Sequence, residues 1–174
     1  MVIEERKYLE ETLAEWIEKV VADNGRKDTV IYANKNGVRP PRPFIMLQFI
    51  GGKRPGSPSR TKVNPKTGEM ELYAHSEKTI TVHGIGSGSF DLLQTILDSI
   101  FIGKYKSFLR KKKLVVRKLT DVNEVGEQGD TEMESRARFD IRVSFIRVVA
   151  YKPGWIEHVK VTPKDVPSLS PLEN

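Results

Sequence analysis

EMESRARFDIRVSFIRVV, residues 132–149, decides how the rest of the chain must be arranged. Met133, Ala137, Phe139, Ile141, Val143 and Phe145 share one parity, while Glu132, Glu134, Arg136, Arg138, Asp140, Arg142 and Ser144 share the other. In a strand, successive side chains point to opposite faces. A period of two over this length therefore predicts a long antiparallel strand, apolar on the core side and charged outside. Its apolar face needs a cover, and the remaining segments are read for what supplies it.

Two segments repeat their apolar residues at helical spacing. Leu92, Leu93, Ile96, Leu97, Ile100 and Phe101 make one stripe, predicting a helix over residues 90–102 with Ser89 as its N-cap. Ile3, Leu9, Leu13, Trp16, Ile17, Val20 and Val21 predict another, stopped by Asn24-Gly25. Residues 104–113 are basic and fit a further short helical segment.

Other stretches read as strands. FIMLQFI, residues 44–50, is apolar on both parities except Gln48, which predicts a central strand covered on both faces. A short strand is expected over residues 29–33, before the Asn36-Gly37 break and the extended Pro40, Pro41 and Pro43. Asn64-Pro65-Lys66-Thr67-Gly68 marks a turn between residues 61–63 and 69–75, predicting a long β-hairpin arm. Strands are also expected over residues 78–83, 114–119 and 155–161, with residues 51–59 and 121–130 as loops. The fold class that follows is α+β: a mixed, largely antiparallel sheet, two main helices on one face and a long β-hairpin arm. Residues 1–161 are expected to form a single domain, and residues 162–174, with Pro163, Pro167 and Pro171, a flexible C-terminal tail.

Composition narrows the function classes. The 174 residues carry 29 Lys and Arg against 23 Asp and Glu, net +6, which admits an acidic partner or nucleic acid without selecting either. With no cysteine there is neither a disulfide nor a thiol nucleophile. The acidic start of the chain predicts no signal peptide, and no apolar run predicts a membrane span.

Catalytic patterns are weak. Gly84-Ile85-Gly86-Ser87-Gly88 lies between a strand and a helix, where phosphate loops occur, but no Gly-Lys-Ser/Thr follows. Its glycines are read as a turn with unusual backbone angles. His75, His83 and His158 lack metal-ligand spacing and are read as surface residues. Glu132, Glu134 and Asp140 alternate with Arg136, Arg138 and Arg142, a pattern for mutual charge pairing or a subunit interface rather than acid–base chemistry. No catalytic, cofactor or metal site is predicted.

Two basic clusters remain. Arg39, Arg42, Lys53, Arg54, Arg60 and Lys62 fall on Pro- and Gly-rich loops; Lys104, Lys106, Arg110, Lys111, Lys112, Lys113, Arg117 and Lys118 interleave with Tyr105 and Phe108. The second is the pattern of a single-strand nucleic-acid surface, or simply a solvated face.

The order of segments resembles the phage neck and tail terminator proteins. YANKNGVRPPRPFIMLQFIG, residues 32–51, is similar to their Pro-rich entry into a buried strand. ITVHGIGSGSFDLLQTILDSI, residues 80–100, resembles their strand, glycine turn and amphipathic helix. ESRARFDIRVSFIRVV and WIEHVKV, residues 134–149 and 155–161, resemble the long strand and the closing strand. The resemblance implies a non-enzymatic virion protein that caps the tail tube, stops its polymerisation and offers a joining surface to the head. It implies self-assembly into a ring, expected to be a hexamer, in the host cytoplasm. The implied neighbours are the tail tube protein, a head–tail connector or adaptor and the sheath protein, with non-specific contact to passing DNA and no membrane. A head–tail adaptor or head-completion protein and a small nucleic-acid-binding module are the alternatives. On the terminator reading, the candidate subunit or tube interface is Arg39, Arg42, Lys53, Arg54, Arg60, Lys62, Glu132, Glu134, Arg136, Arg138 and Arg142, and the arm of residues 51–73 reaches a neighbouring subunit or the tube.

Overall fold

The computed structural model describes residues 5–33, 38–125, 127–128 and 133–154. The chain opens with helix α1 (Glu5–Asp23), whose Leu9, Leu13, Trp16, Ile17, Val20 and Val21 are all buried. It ends as the sequence predicts. Gly25 turns left-handed at φ 70°, its N–H donates to the Ala22 carbonyl and the Arg26 N–H to that of Val21, which satisfies carbonyls the helix end leaves free.

Strands β1 (Thr29–Tyr32) and β2 (Phe44–Lys53) pair in parallel. Then β3 (Ser59–Arg60) and β4 (Met70–Ile85) form the hairpin, with Ser59 opposite Tyr73. Helices α2 (Ser89–Ser99) and α3 (Gly103–Lys111) follow, and then β5 (Val115–Lys118) and β6 (Asn123–Glu124). Short strands β7 (Glu127–Gln128) and β8 (Met133–Glu134) pair only with each other, and β9 (Arg136–Tyr151) closes the described chain. The main sheet has seven strands in the order β1-β2-β4-β9-β5, with β3 on β4 and β6 on β9. Every pairing except β1 with β2 is antiparallel.

The deciding strand behaves as its alternation requires. Ala137, Phe139, Ile141, Val143 and Phe145 are buried, and the register aligns Phe139 with Val82 and Ile141 with Ile80. Leu47 lies beyond Val82 on β2, so one apolar row crosses three strands. The helices cover that row: α2 packs on β4 and β9, α1 on α2 and β1, and α3 on β5 and α1. Trp16, fully buried, donates its indole N–H to Ser99 Oγ at 3.1 Å and ties α1 to α2. Among the described residues, no helix packs on the opposite face of the sheet.

Several expectations need correcting. β2 lies second from an edge, and its second face is covered only near its start. Phe44, Ile45 and Leu47 are buried, whereas Ile50 is 59% exposed. Residues 132–149 are not one strand, because the ladder breaks at Ser135 between β8 and β9. The expected loop at 121–130 contains β6 and β7, and residues 51–59 begin as the end of β2. Ser89 is the first residue of α2 rather than its cap. Gly88, at φ 70°, holds the cap position, and Ser89 Oγ instead lies 3.4 Å from Ser135 Oγ. The predicted helix over 90–102 stops at Ser99, and Gly103 starts α3 rather than merely interrupting. The predicted strand at 155–161, the tail at 162–174 and His158 lie outside the described residues.

Candidate functional site

The uncovered face of the sheet and its two ends carry most of the residues predicted as an interface, and the fold divides them into three places. The first is where β9 starts. Arg136 sits close enough to Arg39 and Arg42 that burial and these like charges lower its pKa. Arg39 also lies over the Phe44 ring, 5.2 Å from its centre. On the same sheet face, His83 stands across from Arg138 in the register, and its Nε2 is 3.1 Å from Gln48 Oε1. Burial, and after it Arg138, lower the pKa of His83 despite the opposing charge of Asp140. The environment is one of crowded cations.

The second place is the middle of the uncovered face. Glu77, with a side chain 10% exposed, lies 3.5 Å from Lys53 Nζ and 3.7 Å from Arg142 Nε. Its Oε1 accepts from Ser144 Oγ at 3.3 Å. Burial pushes this carboxyl up, but Lys53, Ser144 and Arg142 outweigh burial and hold it below the ordinary range. Asp140 Oδ1 accepts from Thr81 Oγ1 at 2.6 Å. Arg142 and Asp140 thus find partners across strands, on β4. Beside Lys53, Arg54 lines a cleft of about 240 Å³ with Gly52, Ser76, Lys78 and Arg147.

The third place is the hairpin arm, where Arg60 and Lys62 are exposed. Glu132 lies outside the described residues, and Glu134 is described only as backbone, in β8. The nine predicted residues whose side chains are described fall in these three places.

The second basic cluster folds differently from a nucleic-acid platform. Tyr105 is buried and donates its hydroxyl to Asp23 Oδ2 at 2.6 Å, an oxygen that also takes Lys104 Nζ at 2.6 Å. Phe108 carries Lys19 Nζ 3.9 Å above its ring centre and Lys112 at 5.6 Å. Lys112 also reaches Glu15 at 3.0 Å, and Lys118 pairs with Asp121. Both aromatics are thus engaged within the fold, leaving no base-stacking pair on this segment. Sequence reading missed what the same segment builds. Ile100, Phe101, Leu109, Leu114 and Val116 line a groove of about 460 Å³, rimmed by Lys106, Arg110, Arg117 and Lys118. Its signal was the alternation of apolar and basic residues over 105–118, read as a face rather than as a wall.

Among the described residues, no group of three or more His, Asp or Glu side chains is placed to hold a metal. Among these residues, too, no helix is long and apolar enough to cross a membrane. The arrangement is one of charged and apolar surfaces around an uncovered sheet.

A family model described as phage neck terminator protein matches residues 7–167. The chain belongs to that family. The match spans the helices, the sheet and the hairpin arm, so the family resemblance read from four sequence segments holds for nearly the whole chain. Comparison with curated proteins gives no match. A neck terminator is a structural component of the phage virion, and charged surfaces with extended β structure are what assembly uses.

Proposed function

We propose that this neck terminator closes the end of the tail tube, stops its polymerisation and presents the joining surface to the head, without enzymatic activity. The observation that carries this reading is the family match over residues 7–167. The shape of the sheet supports it. The β4–β9 ladder runs from Ile85 opposite Arg136 to Met70 opposite Tyr151, past Phe145, the last core residue of β9. Its outer half leaves Ile146 64% and Val148 45% exposed, beside the β3 hairpin. An extended ladder with apolar residues on its surface fits a contact surface better than a solvated one. Copies join head to tail into a closed ring on the last ring of tube subunits.

Growing tubes of purified tail tube protein test this. Added at substoichiometric amounts, the neck terminator is expected to shorten the tubes and to appear as a cap at one end in electron micrographs. Tubes of unchanged length with no cap, together with binding to tail-less heads, would transfer the protein to the adaptor position.

A further inference from the structure

Strands β1 and β5 stand at the two ends of the sheet: among the described residues β1 pairs only with β2, and β5 only with β9. An edge strand presents unpaired backbone N–H and C=O groups that a further strand can use. The two edges run in opposite directions. β1 runs with β2, β2 and β9 both run against β4, and β5 runs against β9. Two copies side by side in one orientation therefore set β5 of one antiparallel to β1 of the next, the arrangement of every pairing in the sheet but one.

The charges at the two edges are opposite. On α1, which packs on β1, Glu11 and Glu18 are exposed and seven residues apart, so they share one stripe of the helix. Tyr32, at the end of β1, donates its hydroxyl to the Glu10 carbonyl; burial first, and then the charges of Glu10, Glu18 and Glu11, raise its pKa, as acids beside β1 must. At the other edge Lys106 and Arg110 rim the groove beside β5, where Phe101 stands 68% and Val115 47% exposed. Among the described residues, Glu11 and Glu18 have no cationic partner, and Lys106 and Arg110 no acidic one. Within the chain, α1 already meets α3 through such pairs, Glu15 with Lys112 and Asp23 with Lys104. Contact between two β5 edges or two β1 edges would bring like charges together, so charge selects the unlike edges.

We infer that the outer edge of β1 in one copy of this chain pairs antiparallel with the outer edge of β5 in the next, so that the sheet continues from copy to copy. β1 keeps its place beside β2 and offers only its free side. The alternation of both strands fits one register. Val30 and Tyr32 face the helices and Ile31 the uncovered side, while Val116 faces the helices and Val115 the uncovered side. Setting Ile31 opposite Val115 sets Val30 opposite Val116 and Tyr32 opposite Leu114, apolar on apolar each time. The contact is heterologous, supplies the head-to-tail joint of the ring proposed above and rests on that reading.

The chain has no cysteine, so introduced thiols report this contact alone. Full chains carrying Ile31→Cys or Val115→Cys are oxidised mildly, singly and mixed, and run on non-reducing gels; circular dichroism checks that both fold. The mixture is expected to give a disulfide-linked dimer, each variant alone none, and the double variant a ladder of multimers. A Val115→Cys chain that links to itself would show a two-fold β5 contact and overturn the inference, as would a mixture that does not link. A second pair of variants exchanges the charges: Lys106→Glu with Arg110→Glu in one, Glu11→Lys with Glu18→Lys in the other. In sedimentation velocity each alone is expected to associate about tenfold more weakly than wild type, and the mixture to recover, because both of its joints again set opposite charges together. Wild type that stays monomeric at every concentration, or reversals that change nothing, also overturn the joint. Tube capping is scored separately. Capping by wild type without linkage in the mixture sinks this joint alone, whereas linkage without capping sinks the functional reading and leaves the joint standing.

Discussion

At single residues, the strongest commitments are polar groups buried together with their hydrogen-bond partners. Trp16 and Ser99 are both fully buried, and Ser99 Oγ accepts the indole N–H while donating to the Ile96 carbonyl at 2.6 Å. Replacing Ser99 by Ala removes that acceptor and leaves a donor in the core with nothing to bond. Such a loss costs about 1–3 kcal/mol, so Ser99→Ala is expected to lower the unfolding free energy by that amount, read as a lower urea midpoint at an unchanged slope. A slope that changes instead would mean that α1 and α2 no longer unfold together. His83 makes a commitment of another kind. Burial and Arg138 favour its neutral form, so its folded pKa lies below its unfolded value. The stabilisation this brings is present above the unfolded value near 6.5 and is lost as pH falls through the lower folded value. The melting temperature is therefore expected to drop on acidification below pH about 6.5, and His83→Gln, which cannot charge, to flatten that part of the profile. Equal slopes in the two proteins would remove His83 from the account.

Where elements meet, close approach between backbones does what side chains do elsewhere. An added Cβ at Gly84 on β4 would stand 3.0 Å from Leu93 Cγ, 3.0 Å from Ser89 Cβ and 3.2 Å from the Ser89 carbonyl. The first turn of α2 thus rests directly on β4 at this glycine. Overpacking a tight contact costs about 1–3 kcal/mol. Gly84→Val is expected to reach or exceed that range in thermal unfolding, because the whole helix must lift. A variant as stable as wild type would show that α2 has slack there. This position also shows where sequence reading stops. The run from Gly84 to Gly88 reads as a turn needing unusual angles, and Gly86 at φ 107° and Gly88 at φ 70° bear that out. Gly84 is a strand residue whose purpose appears only once a helix from later in the chain lies over it. Likewise, alternation at 136–145 and the 3.6 period of α1 and α2 made the layers legible, since burial of one face leaves a periodic trace. β7 and β8 left none, being two residues each. The interface residues were legible as charges and not as places. Their division among a strand end, the Glu77 pairings and the arm depends on register, which only partner strands fix. The groove beside β5 needed the α2–α3 corner and the edge strand together, three segments whose neighbourhood no local pattern states.

On the scale of the whole molecule, the core occupies the ladder as far as Phe145 and leaves its far end to be used. Residues 70–75 of β4 and 146–151 of β9 extend past Phe145, the last core residue of β9, and β3 is attached to that outer part through Ser59 opposite Tyr73 and Arg60 opposite Leu72. The turn at 64–68 beyond it is closed by local bonds, including Gly68 N–H to the Asn64 carbonyl at 2.8 Å. Nothing in this arm enters the apolar core of α1, α2 and β9. If the arm exists for assembly, removing it costs assembly and little stability. Thr61 and Glu71 are bonded neighbours, the Thr61 N–H donating to the Glu71 carbonyl at 2.9 Å, so residues 62–70 can be replaced by a two-residue Asn-Gly turn that takes only Met70 from β4. The shortened chain is expected to keep its melting temperature within a few degrees, as surface changes away from buried features do, and to lose the tube-end cap and the ring. A shortened chain that still caps tubes would move the contact off the arm, to the uncovered sheet face around Glu77, Arg142 and Ile146. One that unfolds would show that the outer ladder is held by its own tip rather than by the core beneath it.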